Sequence, residues 1–143
     1  MRTISFLAAA ALLAGCATSQ PGDSPARAIP TDRQLAFSQK APGSAELIVT
    51  RDQGWLAGGG CYVAVLIDGQ LSARIDVGER AVFYVPAGRR IIGISGDPSG
   101  QGLCSMQIGQ PLKESATRVE PGEVQRFRIS GDTSGLEIRP SST

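Results

Sequence analysis

The chain has 143 residues, 41% hydrophobic and 19% charged, with 18 Gly, 9 Pro, 3 Cys and no His. That length fits one domain with room for a single core. Its 14 basic and 13 acidic residues leave a formal charge of +1, so no bulk field draws in nucleic acid. Lack of His removes the commonest general base and the commonest metal ligand, while the Gly and Pro content with low charge argues against a helical bundle and against full disorder.

Met1-Arg2-Thr3 is a short basic start, and Ile4 to Ala14 is an apolar run broken only by Ser5. As a helix that run spans about 16 Å, roughly half the hydrocarbon core of a bilayer. It is too short for a permanent span and the right length for the h-region of a signal peptide. Small residues follow, in the order Leu13-Ala14-Gly15-Cys16. This string resembles the lipobox of bacterial lipoproteins. The resemblance implies cleavage between Gly15 and Cys16 and a diacylglycerol on the Cys16 sulfur, so that residues 1–15 are a signal peptide. It also implies sorting to an outer membrane, because Ala17 follows the Cys in place of an Asp retention signal. The rival is an ordinary secretory signal cut near an A-x-A-like site around Ala14 to Ala17. Loss of Arg2 with the signal brings the basic residues level with the 13 acidic ones, so no polybasic patch assists the anchor.

From Ala17 to Ser44, Pro, Ser, Gly, Ala and Gln dominate, with only Ile29, Leu35 and Phe37 as sizeable apolar side chains. Such composition does not offset the entropy of ordering, so residues 16–44 read as a lipidated N-terminus and flexible linker. A free linker of that length reaches about 30 Å. Thr31 to Lys40 could hold a short helix, capped by Thr31 or Asp32.

Beyond Ala45 the texture changes. Runs rich in Val, Ile and aromatic residues occupy 45–51, 61–68, 71–76, 80–86, 89–95, 115–120, 124–130 and 136–140. Asp68-Gly69 suits a tight hairpin and Pro121-Gly122 a turn with Pro at its first central position. Alternation places Phe127 and Ile129 on one face with Arg126 and Arg128 on the other, and sets Ala81, Phe83 and Val85 against Val82 and Tyr84. Tyr62 to Ile67 is almost wholly apolar, as a central strand would be. The expectation is an all-β domain over residues 45–143, a small antiparallel β-sandwich or barrel.

With Cys16 taken by lipid, Cys61 and Cys104 remain in an oxidising compartment and most simply form a disulfide. A redox pair would favour C-x-x-C spacing, and a zinc site would need two further ligands with no His to supply them.

Arg51-Asp52 at a strand end, the Gly54-Trp55-Leu56-Ala57-Gly58 loop, Ile67-Asp68-Gly69, Gly78, Pro86-Ala87-Gly88 and the alternating Arg90, Ile92 and Ile94 follow in order. This order resembles the small extracytoplasmic β-domains of the PEGA type and the related lipoproteins of a DUF2846-like family. The corner here is Pro-Ala-Gly, one residue longer than the Pro-Gly of that pattern. The resemblance implies a transthyretin- or immunoglobulin-like sandwich and brings no catalytic residues with it.

Gly58-Gly59-Gly60 and Gly96 to Gly102 match no phosphate-binding loop and read as turns beside the cysteines. Asp97 with Ser99 lacks the acidic alternation of a calcium loop. Asp68, Asp76, Glu79, Glu120 and Glu123 all fall at predicted turns, where carboxylates are commonly solvated or locally hydrogen-bonded. No nucleophile motif occurs. Two features suit binding. Trp55 either plugs one end of the sandwich or stands exposed as a recognition anchor. Arg118, Arg126 and Arg128 could share one face of the hairpin 115–130 and meet an anionic partner. The expected protein is therefore non-catalytic, with no metal, cofactor, nucleic acid or small-molecule substrate. It is held to a membrane by covalent lipid, facing the periplasm, and acts as a protein-interaction or structural module; the alternative is a binder of peptidoglycan or lipopolysaccharide.

Overall fold

Successive side chains of an extended backbone point to opposite faces, so alternating sequences bury one face and solvate the other. The computed structural model describes residues 18–20, 25–54, 60–107 and 112–143; the string Leu13-Ala14-Gly15-Cys16 and Trp55 lie outside them. In chain order the strands are β1 (Arg27–Ala28), β2 (Ala45–Arg51), β3 (Val63–Ile67), β4 (Gln70–Ile75), β5 (Glu79–Val85), β6 (Gly88–Gly96), β7 (Lys113–Val119), β8 (Val124–Asp132) and β9 (Gly135–Ser141). They form two sheets, ordered β1-β5-β2-β8-β9 and β4-β3-β6-β7. The result is a small β-sandwich, rich in antiparallel pairs, in which β1–β5 and β2–β8 run parallel.

The core lies between the sheets. Leu47 and Val49 of β2, Phe83 and Val85 of β5, and Phe127 and Ile129 of β8 face Val63, Val65, Ile67, Ile75, Ile92 and Ile94 of the other sheet. Full burial of each such side chain is worth about 1.5–3 kcal/mol. The alternation expected for β5 and β8 is observed, with Arg126 exposed on the outer face behind Phe127. β3 is internal to its sheet, between β4 and β6.

The β3–β4 hairpin turns on Asp68 (φ 49°) and Gly69 (φ 80°), the two positive values a tight two-residue turn requires. The Asp68 carboxylate also accepts the Ile91 amide at 2.9 Å and Arg90 Nη1 at 2.6 Å, tying the turn to β6.

Residues 25–44 depart from the flexible linker expected of them. They form a strap along the open side of the sandwich, where the edges of β4 and β5 would otherwise leave backbone groups unpaired. Arg27 and Ile29 amides donate to Gly78 and Arg80 carbonyls, and the Tyr84 amide donates to the Phe37 carbonyl at 2.8 Å. On the other sheet, Leu35 and Ala36 amides donate to the Ser72 carbonyl. Ile29 and Phe37 pack against the core. The helix expected over Thr31–Lys40 is a single 3-10 turn, Thr31–Arg33. Sparse apolar content concealed the strap, because it is held largely by backbone hydrogen bonds and one buried ion pair.

Thr18–Gln20 also dock. The Thr18 amide donates to the Gly131 carbonyl at 2.9 Å, and Ser19 bridges Gln53.

Candidate functional site

Most charged side chains at one end of the sandwich are engaged with each other. Glu79, 4% exposed, opens β5 and accepts both arms of Arg33 from the strap at 2.7 Å, along with the Asp76 amide at 2.8 Å. Asp97, just past β6, accepts Arg74 Nε at 2.8 Å and Nη2 at 2.6 Å. The Tyr62 ring packs against both guanidiniums, its centroid 4.5 Å from Arg33 and 5.0 Å from Arg74. Burial raises the Glu79 and Asp97 pKa values, but their hydrogen bonds from Arg33 and Arg74, assisted by backbone amides, outweigh it and leave both carboxylates lowered. Those same hydrogen bonds raise Arg33 and Arg74.

Arg51 and Asp52 end β2 with adjacent opposite charges, and the pleat sends them to opposite faces. Arg51 turns into the core and donates to the Cys61 and Ile75 carbonyls at 2.7 and 3.0 Å. Burial lowers its pKa to about 10. Asp52, 1% exposed, takes Arg128 Nε and Nη2, both at 2.6 Å, and the Thr18 hydroxyl at 2.9 Å.

Cys61 and Cys104 form the expected disulfide, with Cα atoms 5.4 Å apart. Arg118 does not join Arg126 and Arg128. It lies on β7, opposite Arg89 of β6, whereas the other two belong to β8 in the second sheet. The chain crosses between sheets at Pro121-Gly122, so 115–130 is no hairpin within one sheet and its arginines have no common face. Sequence alternation along each strand was correct; the sheet change between them carried no sequence signal.

The outer face of the five-stranded sheet holds an arrangement of cationic side chains suited to a ligand. Register sets Arg80, Thr50 and Arg128 in one row and Val82, Ile48 and Arg126 in the next. Ile48, Thr50, Arg80, Arg126 and Arg128 line a shallow groove of about 260 Å³ beneath Gln20. Arg128 is committed to Asp52, and its pKa is raised by that hydrogen bonding. Arg80 and Arg126 are exposed, and among the described residues neither has a carboxylate partner. Two guanidiniums flanking Thr50 and Ile48 suit a carboxylate or phosphate with an apolar neighbour. Arg80 was missed because it was read only as the polar start of a strand.

Fold and site together define a disulfide-stapled β-sandwich whose buried carboxylates serve its scaffold and whose open surface includes one basic groove. No known family, curated protein or solved structure matches the chain.

Proposed function

We propose that the protein is a lipid-anchored module of the bacterial cell envelope, seated in the outer membrane and facing the periplasm, that binds or braces other envelope components and performs no chemistry of its own. The disposition of the three cysteines carries this reading. Cys61 and Cys104 close a disulfide, which suits an oxidising compartment and leaves Cys16, in the string Leu13-Ala14-Gly15-Cys16, as the thiol for lipid. The likeness to PEGA-type and DUF2846-like lipoproteins supports the same view. Non-catalytic action is supported by Asp52, Glu79 and Asp97, buried carboxylates that are each held by a two-pronged arginine.

Intact-mass measurement tests the anchor: a mature chain beginning at acylated Cys16 is expected, and an unmodified or differently cut chain refutes it. Crosslinking in living cells tests the module, with capture of another envelope protein expected. Recovery only with itself counts against an interaction role.

The open groove favours a second reading, in which Arg80 and Arg126 hold an anionic envelope polymer such as peptidoglycan or lipopolysaccharide. Retention on purified sacculi should fall in Arg80→Ala/Arg126→Ala; equal retention removes peptidoglycan as the partner.

A further inference from the structure

The two ends of the sandwich differ in character. One carries the Asp68-Gly69 turn, Gln70, Glu120 and Glu123, with Val124 as its exposed apolar side chain. At the other lie the 3-10 turn Gly102–Gln107, the disulfide and the C-terminal ends of β2, β6 and β8. Arg51 ties this second end together by bridging β2 to the carbonyls of Cys61 and Ile75.

Five large apolar side chains are exposed among the described residues, and three belong to this end: Leu103 at 83%, Met106 at 77% and Leu112 at 43%. Leu103 and Met106 lie to either side of Cys104, whose disulfide ties their turn to Cys61 ahead of β3. Lys113 follows Leu112 and lines a small cavity together with Thr18 and Asp132. The docked N-terminal segment therefore arrives at the same end of the sandwich. Thr18 is anchored there by Asp52 and by Gly131, which both donates to and accepts from it. From Thr18 back to Cys16 is two residues, a reach of at most about 7 Å.

We infer that this end is a membrane-contact surface: Leu103, Met106 and Leu112 enter the interfacial layer of the lipid bilayer that takes up the acyl chains on Cys16. The inference rests on the lipid anchor proposed above. A short link forces the end of the sandwich that holds Thr18 to face the headgroups; beside Thr18 that end carries Lys113, Arg139, Asp132 and Glu137, and elsewhere on it stand the exposed Leu103, Met106 and Leu112. Side chains of this kind partition into the headgroup–acyl boundary, where an apolar body and a nearby cation are both accommodated.

The test uses the full chain, matured in a host that acylates it and reconstituted into phosphatidylethanolamine–phosphatidylglycerol vesicles. In a Trp55→Phe background, single reporters are introduced as Met106→Trp, Leu103→Trp and, at the opposite end, Gln70→Trp. All three positions are exposed, so folding tolerates them. Phospholipids brominated near the headgroup should quench the first two reporters at least roughly twofold more than the third. Equal quenching of all three, in protein whose intact mass shows an acylated Cys16, overturns the inference and leaves the anchor standing. A mass without acyl groups overturns the anchor and the inference with it.

Discussion

Arg33 divides its guanidinium between the carboxylate oxygens of Glu79 and the face of Tyr62, and Arg74 does the same between Asp97 and that ring. The five side chains are linked in one cluster through Tyr62. Removing one charge leaves its partner buried and uncompensated, which costs more than the pair contributes. Glu79→Gln should therefore lower unfolding free energy by about 3 kcal/mol in urea titration. Arg33→Met/Glu79→Met should recover most of that loss. The cluster also sets the acid response. Glu79 and Asp97 have folded pKa values below their ordinary 4.5 and 3.8, so the fold favours their ionised forms. Their contribution is complete above about pH 4.5 and disappears as pH falls through the lowered folded values. Circular dichroism melts should show a Tm that declines on acidification below that point, and a shallower decline in the double Met variant. None of this was legible in the sequence. Glu79 sits at a turn as expected, but Arg33 lies 46 residues away in a segment whose composition reads as linker.

At the scale of elements, legibility follows periodicity. Each of the eight runs expected between residues 45 and 140 coincides with a strand, β2 to β9, to within three residues at its ends. Asp68-Gly69 forms the hairpin its residue types demand. Gly69→Ala places a Cβ at φ 80° with nothing nearby to clash, so the cost is backbone strain alone, about 1 kcal/mol in the same titration. The strap is the element that periodicity could not reveal. Apart from the Arg33 and Gln34 side chains, its bonds run from backbone to backbone and are indifferent to side-chain pattern, and only Ile29 and Phe37 signal contact with the core. Phe37→Ala should loosen it locally before the sandwich unfolds. Hydrogen exchange is expected to accelerate first at the Leu35, Ala36 and Tyr84 amides, while Val65 and Phe127 keep their protection. Uniform acceleration across all five would show that the strap is inseparable from the core.

For the molecule as a whole, alternation specified a two-layer β fold but left strand order open. A half-buried strand reads the same whether its neighbour is parallel or antiparallel, so the β2–β8 pairing was not foreseeable from residues alone. Arg118 was misplaced for the same reason: its strand was right and its sheet was not. The disulfide spans 43 residues of sequence between β3 and the 3-10 turn. Closing a loop of that size limits the unfolded chain, and Cys61→Ala/Cys104→Ala should cost up to about 4 kcal/mol by denaturation midpoint.

Thr18 hydrogen-bonds to Asp52 and Gly131, and this limits where the globule can go. A sandwich on a thirty-ångström leash could search the space between membrane and cell wall. One fastened two residues from its proposed acyl graft cannot. Under that anchoring, any partner must come down to the lipid surface to be met, and the groove beside Gln20 would open sideways along the bilayer rather than out toward the wall.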